Sequence, residues 1–513
     1  MLDRIFGFKI HSILHVLGVS ILAFGLPFNK VLMSIGAIWG VSNLILEGDF
    51  KNYGVNIRKN TAFLWLLLFC ALHLIGLFWT SDFSYAMHDI KIKLPLLAVP
   101  LALVARPINE RSKVNLVLYA LLASLVMTSL LNFGYYNQWF GFKSYTNIRQ
   151  MSLFGSHIRY GIIIALGAGI CLTFIDFKKK MILNLLWLVL FSWFSIYTFY
   201  SQILSGAISM IVVLLSFLIS KLYYFNKGFA YSLLSVFVAL LVGLVMYFLP
   251  SKINKVDVAS LPVKTKEGNL YVNHLDDFNT EGDEYIYISV CEVEIEREWN
   301  KRSKLEYGGY DKHGQIVKCS IIRYLSSKNL SRDAEGVKSL SKEDIVNIEN
   351  GIASVHLLQS GLFARLYEVK HQINNATNPN GHSLLQRLEY WKTGLRIIEK
   401  NWSIGVGTGD VQAVFDRQYE LDNSVLIPKL RLRAHNMYLT IFITFGIAGL
   451  IVFLSFIRSY FIESFKNREL IAIMFICISC VTFLIEDTIE TQMGVSLVAL
   501  FVGLYLPKLE REG

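Results

Sequence analysis

The residues best equipped for chemistry in this 513-residue chain gather where a polar segment runs into an apolar one, in KLRLRAHNMYLTIFITFGIAGL. Lys429, Arg431, Arg433 and His435 lie just ahead of a long apolar helix, whose unpaired backbone N–H groups and positive dipole end face the same place. Cations beside a helix amino terminus make a binding place for a pyrophosphate. The plainer alternative is that they are interfacial anchors reaching for lipid headgroups. Among such cations His435 is expected to be neutral near pH 7 and able to take a proton from a hydroxyl, as a general base does; a structural hydrogen-bonding role is its alternative. Asn436 beside it is a supporting residue.

Arg387, in HSLLQRLEYW, sits on an amphipathic helix marked by Leu384, Leu385, Leu388, Trp391, Leu395 and Ile398. There it either reaches a lipid phosphate or is neutralised by Glu389 or Glu368. His157 and Arg159 open another apolar helix, and Glu486, Asp487, Glu490 and Gln492 fill a short turn between the last two. Acidic groups so close to apolar helices usually have cationic partners, so these either orient His435, hold the arginines, or form a plain hydrophilic turn. No P-loop, GxSxG, HExxH or zinc-spaced Cys/His cluster is present, and no metal or cofactor is expected. GVGTGD, at 405–410, reads as a turn that neither follows a strand nor opens a helix, which disfavours a dinucleotide site and leaves open a backbone nest for an anion. Cys477 and Cys480 form a CxxC within an apolar run and lack companion ligands. Cys291 and Cys319, the only pair in the polar segment, either stay free or form a disulfide in an oxidising compartment.

These groups need a scaffold, and the composition says of what kind. Hydrophobic residues make up 54% and charged residues 17%, with a mean hydropathy of +0.45, too apolar for an ordinary soluble protein. Much of the +10 charge lies beside apolar runs and is not gathered on one soluble face, which argues against a nucleic-acid binder. Spans are expected near 13–28, 31–47, 62–80, 88–105, 114–135, 158–175, 182–200, 203–224, 229–249, 435–457, 469–486 and 490–507. The first two, and 88–105 with His88, Asp89, Lys91 and Lys93, give the weakest signal. With a cytoplasmic amino terminus, sixteen Lys and Arg, among them Lys51, Arg58, Lys178, Arg458 and Arg468, fall in inner loops and on the tail. The outer short loops hold six, Lys30, Lys91, Lys93, Lys143, Arg149 and Arg159. Both termini are then cytoplasmic, and the first span, with no small-residue cleavage site, is itself the export signal.

The expected architecture is an all-α integral membrane protein of about 12 transmembrane helices. It comprises an N-terminal membrane domain over 1–250 with about nine spans, a large mixed, partly helical periplasmic loop over 251–434, and a C-terminal membrane segment over 435–513 with about three. In the loop, EYIYISVCEVEIE alternates in places like strands, and SKEDIVNIENGIAS opens a helix with a capping pattern at Ser341. No internal repeat is evident.

RLEYWKTGLRIIEKNWSIGVGTGDV followed by RAHNMYLTIFITFGIAGL resembles the signature of the O-antigen ligase and O-antigen polymerase superfamily of bacterial envelope proteins: an Arg before an aromatic helix, a Gly-rich turn, then HNxYL at a span entrance. LIEDTIETQMGV near the carboxyl terminus is similar as well, and the loop from EIEREWNKRSKLEYGGYD onward resembles that of Bacteroidetes members. The likeness covers the layout of the chain and, in motif, roughly Ser383 to Gly494. It implies a metal-independent, inverting glycosyltransferase of the bacterial inner membrane that moves a glycan from undecaprenyl pyrophosphate to an acceptor hydroxyl, such as that of lipid A core, at the periplasmic face. By the same resemblance His435 is the base or acceptor-orienting group and Arg387 the pyrophosphate clamp. The family's second Arg, in an SRGA-like sequence, is missing: FYSQILSGAISM has Ser205 there, so either Arg159, Arg431 or Arg433 substitutes or that span aligns differently. A polymerase joining lipid-linked repeat units would differ in its acceptor alone, and transfer to a protein hydroxyl is a third option. A transporter of lipid-linked sugars is the rival from another class, but its usual two related halves are not visible here.

Overall fold

The computed structural model describes residues 10–139, 141, 148, 151–176, 178, 180–248, 260–274, 280–281, 284–312, 315–358, 362–374, 379–380 and 383–509. Lys143 and Arg149, counted above among the outer cations, lie outside them, as do residues 249–259. Two compact units are present, one formed by residues through Ser235 together with Gln386 onward, the other by Val236–Leu385.

In the first unit the helices are α1 (Ile10–Gly25), α2 (Lys30–Glu47), α3 (Phe50–Lys59), α4 (Thr61–Ile75), α5 (Phe83–Ala105), α6 (Arg111–Tyr136), α7 (His157–Phe174), α8 (Met181–Tyr200) and α9 (Leu204–Phe225). α10 (Lys227–Phe248) leads from it, and α16 (Ser383–Asn401) leads back, followed by α17 (Val411–Leu421), α18 (Met437–Asn467), α19 (Leu470–Thr482) and α20 (Gln492–Tyr505). Seven of them, α2, α4 continued by a 3-10 turn to Trp79, α6, α7, α8, α9 and α18, are long and apolar enough to cross a membrane. α1, the Lys227–Leu240 part of α10, α19 and α20 contribute shorter apolar helices, and α5 covers the charged stretch near 88–105. The short amphipathic α3, with Arg58 and Lys59 in its last turn, was not foreseen from the apolar pattern.

Packing separates helices that face lipid from helices that face protein. Along α8, Met181, Ile182, Leu185 and Val189 are exposed, a face that would be costly in water and is ordinary in a bilayer. α20 is apolar on every side, and every residue from Met493 to Tyr505 is buried, as expected of a helix enclosed by others. α7 and α9 approach backbone to backbone, because a Cβ on Gly161 would come within 3.1 Å of the Gly206 Cα; small residues allow this in membranes.

α18 is broken at Gly446, whose φ is +62°. A kink frees carbonyls and N–H groups of the helical ladder, and here the Gly-rich turn takes them up. Val406 and Gly407 donate to the Ile443 and Thr444 carbonyls at 2.9 and 3.0 Å, and the Ile447 N–H donates to the Trp402 carbonyl at 2.8 Å. At its other side the turn meets the end of α4: Thr408 Oγ1 donates to the His73 carbonyl (2.8 Å) and the Gly409 N–H to Thr80 Oγ1 (2.9 Å). Asp410 accepts from the Ser81 and Asp82 N–H groups. GVGTGD is therefore a docking turn, and, contrary to the sequence reading, it does open a helix, α17.

The second unit contains α11 (Glu292–Asn300), α12 (Val317–Ser327), α13 (Ala334–Ser339) and α14 (Lys342–Glu349) around Trp299, Tyr324 and Ile321, followed by α15 (Leu362–Asn374). Among its described residues, strand structure amounts to one antiparallel pair, β1 (Thr280–Glu281) with β2 (Glu284–Tyr285), and isolated bridges. The strand-like reading of EVEIE is corrected: it begins α11, where Ile295 and Trp299, four apart, are buried on one face. The cap at Ser341 forms as a full capping box with Asp344. Cys291 and Cys319 are free thiols.

Gly405 has φ +74°, and a Cβ there would land on the Thr444–Phe445 peptide. Gly405→Ala is expected to cost at least about 2 kcal/mol from the left-handed backbone and the collision together, lowering the thermal transition in detergent. Gly54→Ala, in the middle of α3 with open space around it, should leave that transition unchanged or raise it slightly.

Candidate active site

The segment that carries His435 is irregular chain, and aromatic side chains hold it. Tyr390 and Trp391 of α16 donate to the Leu430 carbonyl (2.8 Å) and the Ala434 carbonyl (3.0 Å), and Tyr419 of α17 donates to the Leu432 carbonyl (2.7 Å). Irregular backbone within an apolar body must find such partners. The segment ends at His435, a non-glycine residue with φ +46°, a conformation that costs on the order of 1–3 kcal/mol and clusters at functional sites. Asn436 then caps α18, its side chain accepting from the Leu439 N–H at 3.2 Å. The HN of the HNxYL sequence thus splits into a residue held in a strained conformation and a residue that starts the helix.

What fixes His435 from the other side is the turn after α19. Asp487 accepts from the His435 N–H (3.1 Å) and from Thr440 Oγ1 (2.8 Å), and the Phe483 carbonyl accepts from the Met437 N–H (2.7 Å). A carboxylate at the amino terminus of α18 also complements its dipole. Glu486, beside it, binds Arg159 Nη2 of α7 at 2.6 Å and lies 3.7 Å from His435 Nδ1. Arg387 comes to the same turn, its Nε donating to the Ile485 carbonyl at 3.3 Å. The His435 ring stacks at a tilt on Tyr390, centroids 5.8 Å apart, and its side chain is 32% exposed. Two polar atoms in this cluster, Arg159 Nε and His435 Nδ1, are buried without a hydrogen bond.

Three residues on, Glu490 joins Arg433 Nη1 (3.0 Å) and Lys93 Nζ of α5 (2.7 Å), and Lys93 in turn binds both oxygens of Asp89 at 2.6 Å. The Arg433 guanidinium lies 6.0 Å over the Tyr85 ring. Burial alone would raise the Glu486 carboxyl, but His435, Arg159 and Arg387 outweigh it and hold it below its ordinary range. At Glu490 burial is likewise outweighed, by Lys93 and Arg433, and the carboxyl is held far down. Asp487 goes the other way, raised by burial and by the charge of Glu490.

Four of the residues expected from the sequence are thus brought to one place: His435, Arg387, Arg159 and Glu486. Arg433 is engaged with Glu490, and Arg431 donates to the Leu426 carbonyl at 3.1 Å. His157 is the first residue of α7, two before Arg159, and Lys429 is exposed. Gln492 binds Ser34 Oγ at 2.8 Å. Ser205, where the resemblance led one to look for an arginine, is buried and its hydroxyl makes no hydrogen bond. Its neighbour Gly206 packs on Gly161, which follows Arg159 by two residues on α7. Asp89 and Lys93 are not among the site residues expected from the sequence; ionisable groups inside an apolar helix are the signal for them, although in the apolar pattern they only weaken a span. Among the described residues no group of three His, Cys, Asp or Glu is placed to hold a metal ion.

The arrangement offers an imidazole beside a carboxylate, with two guanidiniums on that same turn, suited to deprotonating a hydroxyl near an anionic group. A family model described as "O-Antigen ligase" matches residues 351–454, about a fifth of the chain. That stretch includes Arg387, the Gly-rich turn, the aromatic supports and His435. No curated protein matches the chain.

Because the folded Glu486 carboxyl is depressed, its ion pairs contribute fully above the ordinary value of 4.5 and are lost as pH falls through the lower folded value. Glu486→Gln is therefore expected to unfold at a lower temperature than the wild type at pH 7, with the difference shrinking below about pH 4.5 in detergent melts. A difference that grows on acidification would contradict this.

Proposed function

The chain carries an O-antigen ligase family domain within a body of apolar helices, and on that premise we propose that it is an O-antigen ligase-like glycosyltransferase. It moves a glycan from undecaprenyl pyrophosphate to an acceptor hydroxyl of lipid A core, at the periplasmic face of the bacterial inner membrane. The chain crosses that membrane about twelve times, with both termini in the cytoplasm.

The observation that carries this reading is the meeting of His435, Arg159 and Arg387 on the turn through Ile485 and Glu486, with Arg159 Nε and His435 Nδ1 buried and without a hydrogen bond. Buried polar atoms without partners call for an explanation, and a substrate pyrophosphate and hydroxyl supply one. In the proposed reaction the acceptor oxygen attacks the anomeric carbon of the donor while the bond from that carbon to the pyrophosphate oxygen breaks. The hydroxyl proton goes to His435, and the leaving pyrophosphate takes the bonding electrons, its charge met by Arg387 and Arg159. Direct displacement inverts the anomeric centre. Neutralising the leaving group and positioning the hydroxyl provide most of the acceleration, and no metal is needed.

The test is transfer from radiolabelled undecaprenyl-pyrophosphate-linked glycan to lipid A core by purified protein in the presence of chelator. His435→Ala and Arg387→Ala are each expected to lose about a hundredfold or more in rate with unchanged folding. Lengthening of lipid-linked glycan in place of transfer to lipid A core would mark a polymerase, and full activity of His435→Ala would remove it as the base.

A further inference from the structure

The chain Asp89–Lys93–Glu490–Arg433 lies outside the cluster on Glu486, and the proposed reaction leaves it without a task. Its members are unusual for an apolar helix bundle. The side chains of Asp89, Lys93 and Glu490 are each less than a tenth exposed, and together with Arg433 they line a cavity with room for no more than about one water. Buried ion pairs add little net stability over apolar residues of the same size, because desolvation offsets their attraction. What they do impose is direction, since each link is satisfied in one arrangement only.

Two pieces of chain hold His435: the irregular segment that ends in Arg433, Ala434 and His435, and the turn from Glu486 to Glu490. The ion chain ties these two pieces to each other through Glu490 and Arg433, and ties both to α5 through Lys93 and Asp89. We propose that Asp89 and Lys93 are positioning residues for glycosyl transfer, which act through Glu490 and Arg433 to set where His435 and Glu486 stand. Neither touches substrate. The inference rests on the transfer reading above.

Removing Lys93 alone would leave two buried carboxylates facing each other, so the informative variant is Asp89→Asn/Lys93→Met, which keeps the charge balanced. In the full-length protein in detergent its kcat is expected to fall about tenfold or more, with KM for the lipid-linked donor within about threefold and a thermal transition close to wild type. Lys93→Arg should recover most of the rate. Hydrogen exchange gives a readout independent of transfer: peptides covering 433–436 and 486–490 should exchange faster in the double variant, while those of α20 should not. If the double variant keeps its kcat while His435→Ala is inactive, or if exchange at both segments is unchanged, the proposal is overturned and the transfer reading stands. Loss of rate together with a lowered transition, not recovered by Lys93→Arg, likewise overturns it in favour of a role in folding alone. A wild type that transfers no glycan removes the transfer reading, and the proposal with it.

Discussion

Three carboxylates within five residues, Glu486, Asp487 and Glu490, sit buried in an otherwise apolar body, and each is satisfied by something that comes from elsewhere in the chain. Glu486 takes Arg159 from α7 and faces His435; Asp487 takes the backbone and Thr440 at the start of α18; Glu490 takes Lys93 from α5 and Arg433. A buried carboxylate left alone would be costly enough to change the fold around it. The turn therefore gathers α5, α7, the segment before α18 and α18 itself into one arrangement, and the geometry of the candidate site is a by-product of satisfying it. Burial pushes these carboxyls up and cations pull two of them down, which keeps Glu486 and Glu490 charged and their partners in place.

A second constraint works on the backbone. The break of α18 at Gly446 would strand polar groups within an apolar bundle, and the Gly-rich turn at 405–410 meets them, with no side chain at Gly405 to stand in the way. The same turn locks onto the end of α4 through Thr408, Gly409 and Asp410. α16 and α17, which carry Arg387 and the tyrosines that hold the irregular segment, are thereby joined to the membrane helices. The strained conformation of His435 persists because bonds on both sides over-determine it: Trp391 to Ala434, Asp487 to the His435 N–H, and the cap at Asn436.

What could be read from the sequence followed from local rules. Apolar runs, the 3.6-residue spacing in α16 and the capping pattern at Ser341 all report on neighbours in the chain, and helices stand at those places. Residue type and motif resemblance single out His435, Arg387, Arg159 and Glu486 only among a wider set that also holds Arg431, Arg433, Asn436 and His157. Partner choice was not legible, because it depends on which helices pack together. Arg433 and Arg159 look alike in one dimension, yet one meets Glu490 and the other Glu486. Lys93 reads in one dimension as a defect in a span, whereas in the fold Asp89 and Glu490 surround it. The close approach of Gly405 to Thr444 is a fact about two backbones, on which spacing carries no information. EVEIE misled because its alternation over five residues fits a strand, while the burial of Ile295 and Trp299 belongs to a helix.

The most direct measurement is a cryo-electron-microscopy map of the full-length protein in a lipid nanodisc with a non-transferable undecaprenyl pyrophosphate analogue. Phosphate density is expected within hydrogen-bonding reach of Arg387 and Arg159, about 3 Å, with the first sugar's anomeric carbon on the His435 side of the Glu486 turn. Phosphate density bound elsewhere, with Arg159 Nε and His435 Nδ1 still without a hydrogen bond, would contradict this.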